Sequence, residues 1–148
     1  MKNILYPSYL FLICIIINSC DKLPQNGDLD GMWQVLTIEL NGTIDNIKDS
    51  QYYLSFQLDL FQLTTTRNNK IYYGYFDHKN DSIIFRQFSD MAEEHPTSPD
   101  NYPITSENIS IINQWGFYTL RDSFYIEHLT KDDMILRSKY ARITYRKF

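Results

Sequence analysis

The sequence predicts an all-β domain of about eight antiparallel strands in meander order, closed into a barrel, with one short helix between strands five and six. Three observations carry this. Beyond residue 30, apolar side chains recur with period two, the spacing of a half-buried strand. Short clusters of turn-forming residues separate the runs, so consecutive strands are hairpin neighbours. Aromatic residues make up 16% of the 148 residues, while glycine and proline number five each, a globular rather than low-complexity composition. An open meander of this length would leave two exposed edges, and closure removes them. A β-sandwich is the alternative architecture.

The elements follow in order. Gly31 to Leu40 reads as the first strand, and Asn41-Gly42 as its turn. Tyr52, Leu54, Phe56 and Leu58 alternate with Tyr53, Ser55, Gln57 and Asp59, a clean half-buried strand. After Leu60 the apolar phase moves to Phe61 and Leu63, which marks a bulge or tight bend. Thr64 to Thr66 continues in good strand formers. Asn68-Asn69 is a hairpin turn, because asparagine tolerates positive φ. Ile71 to Phe76 follows, with Ile71, Tyr73 and Tyr75 on one face, and Ser82 to Phe88 returns the chain.

Ser89 to Pro103 is polar, holds three prolines and reads as a long surface loop. Ile109, Ile112 and Trp115 recur at helical spacing before Gly116, with Thr105 or Ser106 as caps, so a short helix is expected within 104–115. Ser123 to Leu129, Met134 to Ser138 and Arg142 to Lys147 complete the strands. With one face inward, Trp33, Tyr52, Phe56, Tyr73, Tyr75, Phe85, Phe124 and Tyr145 would line the barrel.

The amino terminus is different. Lys2 precedes a break at Pro7-Ser8, and nine apolar residues run from Tyr9 to Ile17 before Asn18-Ser19-Cys20. A spanning helix needs about 20 apolar residues, whereas a signal-peptide core needs roughly 7–15. The order resembles a bacterial lipoprotein signal, with Ile17-Asn18-Ser19-Cys20 as its lipobox. That resemblance implies cleavage before Cys20 and acylation of its sulfur and new amino group. Residues 1–19 are then signal peptide, 20–30 a tether from lipidated Cys20, and 31–148 the barrel domain. The expected location is the cell envelope, at the outer membrane, facing periplasm or cell surface. Cys14 leaves with the signal and Cys20 carries lipid, so the core alone holds the domain together.

Gly31-Met32-Trp33 at the head of an eight-stranded meander resembles the Gly-X-Trp opening of lipocalins and calycins. In that superfamily the tryptophan floors the barrel and an arginine near the last strand packs over it. The resemblance gives that role to Trp33 and Arg146, with Arg142 as second candidate. The closing stretch, from Phe124 through Arg142-Ile143-Thr144-Tyr145-Arg146-Lys147-Phe148, is similar to the small lipocalin-like lipoproteins of Bacteroidota. Members of that group mostly have no assigned activity.

Chemistry-bearing motifs are sparse. His78, His95 and His128 share no metal-ligand spacing, and no metal or cofactor is predicted. Asp77, His78 and Asp81 share one turn, as aspartates in turns often do. Glu93-Glu94-His95 reads as a solvated cluster, and His128 as a core or rim histidine. No nucleophile elbow, P-loop or dinucleotide fingerprint occurs, no thiol is free, and no catalytic residue is assigned. Asp81-Ser82-Ile83 resembles a short O-glycosylation acceptor of Bacteroidota. A net charge of −4 and an isoelectric point near 5.2 argue against nucleic acid as a partner.

The sequence thus points to a non-catalytic, lipid-anchored binding module. A small apolar or amphipathic ligand would sit in the barrel against Tyr73, Tyr75 and Tyr145, near the long loop. The alternative is a packed barrel that presents its loops to another envelope protein, or inhibits one.

Overall fold

A computed structural model describes residues 25–90 and 102–148. The expected signal peptide, Cys20, the Glu93-Glu94-His95 cluster and most of the long loop lie outside the described residues. The strands are β1 (Gly31–Leu40), β2 (Thr43–Asn46), β3 (Tyr52–Gln57), β4 (Leu60–Thr65), β5 (Ile71–Lys79), β6 (Ser82–Asp90), β7 (Tyr102–Pro103), β8 (Arg121–Leu129), β9 (Asp133–Arg137) and β10 (Ala141–Lys147). All pairings are antiparallel.

Closure decides the architecture. β10 pairs with β1 from Trp33↔Lys147 to Leu40↔Ala141, so the path β1-β3-β4-β5-β6-β8-β9-β10 returns to its start. This is an eight-stranded barrel, not a sandwich, and the two extra strands sit at its rim. β2 folds back on the far half of β1, and β7 pairs with the end of β6. Alternation of direction puts the β1–β2–β3, β4–β5, β6–β8 and β9–β10 connections at one end, the mouth. The β3–β4, β5–β6 and β8–β9 turns lie at the other end with both chain termini of the domain.

The phase change after Leu60 is a two-residue hairpin, not a bulge within one strand. Leu58 takes φ 58°, and Gln57 pairs with Leu60. The true bulges lie elsewhere. Gln87, at φ 57°, doubles β6 against Gly74 and resets the strand, so Phe85 and Phe88 both point inward. A side chain on Gly74 would meet the Phe61 ring and the Arg86 carbonyl at 2.7 Å, so glycine is required there.

This fixes the face of β5 against expectation. Tyr72 and Phe76 are buried, while Tyr73 and Tyr75 stand on the outer wall. Only the Gly74 side of the strand can accept Phe61. His128 likewise turns outward and is exposed, because the β8–β9 register shifts between Ile126 and His128.

The helix of the long connection is a 3₁₀ helix, Ile109–Trp115, closed by Gly116 at φ 86°. Its start is organised by Asn108, whose Oδ1 accepts the Thr105 N–H at 2.7 Å. Ile112 and Trp115 are buried. The Trp115 indole N–H donates to the Tyr53 carbonyl at 3.1 Å, which nails the helix across the mouth. The end of the expected tether also folds: Gly27–Leu29 is a 3₁₀ turn, and Leu29 is fully buried under the opposite end.

Candidate functional site

Three places compete for a functional role: the barrel interior, the mouth, and the outer wall beside β5 and β6. The interior is filled by rings. Phe117, one residue beyond Gly116, stands at its centre, with ring centroids 4.8 Å from Phe85, 5.3 Å from Phe88 and 5.4 Å from Phe124. Phe61 and Phe56 extend the cluster through Phe85, and Phe76 joins at Phe56, mostly edge to face. An eight-stranded barrel is just wide enough to be filled by side chains or to hold one small ligand. Here six of the rings come from the strands, and the long connection adds Phe117 at their centre.

One polar atom is stranded in that interior. Tyr145 is fully buried, and its hydroxyl has no hydrogen-bond partner among the described residues. Burial holds its ionisation far above the ordinary tyrosine range. A buried hydroxyl without a partner contributes nothing to offset its lost hydration. Tyr145→Phe should therefore leave stability unchanged or raise it by up to about 1 kcal/mol. Urea denaturation checks this; a clear loss of stability would mean that the hydroxyl bonds a buried water or ligand.

At the mouth, Ile38, Leu40, Ile47, Tyr52 and Gln114 surround a half-open recess of about 280 Å³ between the 3₁₀ helix and β1–β2. The Tyr52 hydroxyl bonds the Gln114 side chain across it. The buried Trp115 ring packs against both Tyr52 and Tyr72.

The outer wall holds a larger concavity, about 470 Å³, lined by Tyr73, Tyr75, Gln87, Phe88, Ser89, Pro103, Ile104 and Leu120. The bulge at Gln87 aims that side chain outward into it. Burial raises the ionisation of Tyr73, and neighbouring Tyr75 adds to the effect. Arg86 lies 5.5 Å from the Tyr75 ring centre and forms a two-pronged bond with Asp77, at 2.9 and 3.2 Å. That bond holds the Asp77 carboxyl below its usual range and raises Arg86.

The predicted ligand residues therefore separate. Tyr73 and Tyr75 come together with the ends of the long connection, but outside the barrel; Tyr145 is inside. Gln87, Ile104 and Leu120 were not anticipated, since the bulge that gathers them leaves no periodic signature.

The closed end is built on Trp33, which is fully buried and donates its indole N–H to the Leu29 carbonyl at 2.8 Å. The cation over its ring is Lys147, 4.2 Å from the centroid, and not Arg146. Register explains the correction. Trp33 faces Lys147 across β1–β10, while Arg146 faces Gln34 on the opposite side and donates to its Oε1 at 2.7 Å. Lys147 also donates to the Asp28 carbonyl at 2.8 Å and to the Asp30 carbonyl. Burial lowers its ionisation, although Asp28, Asp30 and Asp132 oppose that. Arg142, the second candidate, bonds Glu127 at 2.6 Å on the wall.

A family model of a lipocalin-like domain matches residues 13–148. The chain belongs to the lipocalin-like family. Its barrel is similar to that of a lipocalin-like protein from Bacteroides uniformis, at 18% identity and TM-score 0.57, covering 82% of this chain and 100% of that one. An uncharacterized protein from Bacteroides eggerthii is similar at 21% identity and TM-score 0.61, covering 81% and 99%. A protein from Burkholderia xenovorans shares the fold at 12% identity and TM-score 0.52, covering 81% and 83%. No curated protein is matched. Against that family background the site chemistry is spare. Among the described residues no group of three or more His, Cys, Asp or Glu side chains could hold a metal ion. Asp77 of the β5–β6 hairpin is engaged by Arg86, and the His78 ring bonds the Asn80 carbonyl at 3.0 Å. Ser82 of the expected glycosylation triplet is half-buried at the start of β6.

Proposed function

We propose that this lipocalin-like chain is a non-catalytic protein of the cell envelope, tethered to the outer membrane through acylated Cys20, that binds a small amphipathic ligand on its outer wall. The carrying observation is the concavity beside Tyr73 and Tyr75. Its volume lies in the range of small-molecule sites, and its lining is mainly apolar and aromatic with a few polar groups, the usual make-up of such sites. The tyrosine rings give flat apolar contact, while their hydroxyls and the NH2 group of Gln87, whose Oε1 accepts from Arg86 at 3.3 Å, can meet a polar head group.

The test is a thermal-shift and calorimetry screen of the full acylated protein with fatty acids, sterols and small aromatic compounds. Tyr75→Phe should weaken binding by about 0.5–1.5 kcal/mol, the net value of one hydrogen bond. The melting temperature should stay constant, since Tyr75 is 38% exposed. Binding that responds to Tyr145→Phe instead would place the ligand inside the barrel. The ring-filled interior favours a second reading, a packed barrel that offers its mouth loops to another envelope protein; a screen with no binder would favour it.

A further inference from the structure

Among the described residues six non-glycine positions have positive φ; three are asparagine, two are the polar Gln51 and Gln87, and one, Leu58, is apolar. At Asn41, Asn69 and Asn80 a positive φ of 51–53° is carried by asparagine, which tolerates it. At the β3–β4 turn the same backbone region, φ 58°, is carried by Leu58. A leucine there is strained, and its side chain is not used for the core, being 52% exposed. Leu60, two residues on, is 40% exposed and pairs with Tyr75, so an apolar strip continues from the turn along the outer wall. Strain retained at an exposed apolar position is grounds for seeking a contact outside the folded chain.

The position of the turn says what that contact is. It lies at the closed end, where the Asn26 side-chain amide donates to the Leu58 carbonyl at 2.8 Å. Asn26 is itself held by Asp30, at 2.7 and 3.0 Å. Only five residues separate Asn26 from Cys20, six Cα-to-Cα steps. Fully extended, they reach at most about 20 Å. An acylated Cys20 therefore confines Leu58 to the neighbourhood of the bilayer.

We propose that the β3–β4 turn is a second membrane contact, in which Leu58 and Leu60 enter the bilayer interface beside the lipidated Cys20. The barrel then stands with its closed end on the membrane and its plugged mouth toward solution. The inference rests on the anchor reading. Several acyl chains already hold a protein on a membrane, so the turn sets orientation rather than affinity. Arg86 is paired with Asp77, and Asp59 lies near enough to raise it further, so the strip attracts lipid through its apolar surface. The contact should be insensitive to salt.

The experiment uses the acylated full chain in vesicles of phosphatidylethanolamine and phosphatidylglycerol, with mass spectrometry of Cys20 first. An environment-sensitive nitrobenzoxadiazole probe is placed on Leu58→Cys and, as a control, on Ile44→Cys, which is 66% exposed at the mouth. The expected result is a blue shift and quenching by lipid-borne nitroxide at position 58, unchanged in high salt, with neither at position 44. Leu58→Asn, which matches the other turns, should keep the melting temperature or raise it, whereas a core role for the side chain would lower it. Acylated protein whose position 58 probe stays in water overturns the membrane contact and leaves the anchor standing. A blue shift that persists without vesicles assigns the turn to a second copy and overturns it too. An unacylated Cys20 overturns both readings.

Discussion

Phe117→Ala should destabilise the domain by about 3–5 kcal/mol, the range for deleting a large buried aromatic. The ring is fully buried and touches Phe61, Phe85, Phe88 and Phe124. Edge-to-face pairs are worth about 0.5–1.5 kcal/mol each beyond burial of area, and this substitution removes several at once. The neighbouring rings stand on strands locked in a closed sheet, so they cannot collapse into the gap. The cavity left should be apolar and dry, and such cavities accept small aromatic molecules. Benzene or indole should then raise the melting temperature of the variant and leave the parent protein unchanged. A variant as stable as the parent would mean that the long connection does not fill the barrel. An unstable variant that gains nothing from benzene would mean that the interior repacks.

The same residue shows where the sequence stops being legible. Barrel strands, their order and the entry at Gly31-Met32-Trp33 are readable because period-two alternation and turn residues report local geometry directly. Phe117 carries no such report: it follows the glycine that ends a helix, and nothing in its neighbours distinguishes a loop aromatic from one inserted into a barrel. β5 is a second case. Tyr72 and Tyr73 offer an aromatic side chain to each face, so alternation alone does not choose between them. The decision comes from Gly74, whose missing side chain admits Phe61 and the Arg86 carbonyl. A glycine within a strand is a recognised sign of close approach. Read that way, Gly74 places Tyr73 and Tyr75 outside.

The outward turn of Tyr73 and Tyr75 links packing to the candidate site. The bulge that admits Phe88 to the core projects Gln87 from the wall, so one backbone irregularity serves both the filled interior and the external concavity.

Trp33→Ala should cost about 3–5 kcal/mol as well, for reasons specific to the closed end. The indole fills the barrel floor, its N–H satisfies the Leu29 carbonyl, and its face carries the Lys147 ammonium. Its loss leaves a cavity, a buried carbonyl without its donor, and a cation without its ring. Trp33→Phe separates these terms. It retains an aromatic face but leaves the Leu29 carbonyl unpaired, a cost of about 1–3 kcal/mol. Lys147→Met removes the ammonium from the ring and from the Asp28 and Asp30 carbonyls together. It should lose about 2 kcal/mol or more, the upper end for a desolvated cation on tryptophan with two charged hydrogen bonds added. Arg146→Met, which loses only its bond to Gln34, should lose about 1 kcal/mol or less. Chemical denaturation of the four variants reads the order directly. If Arg146→Met proves more damaging than Lys147→Met, the register that sets Lys147 over the tryptophan is wrong, and the superfamily's usual arginine holds the floor after all.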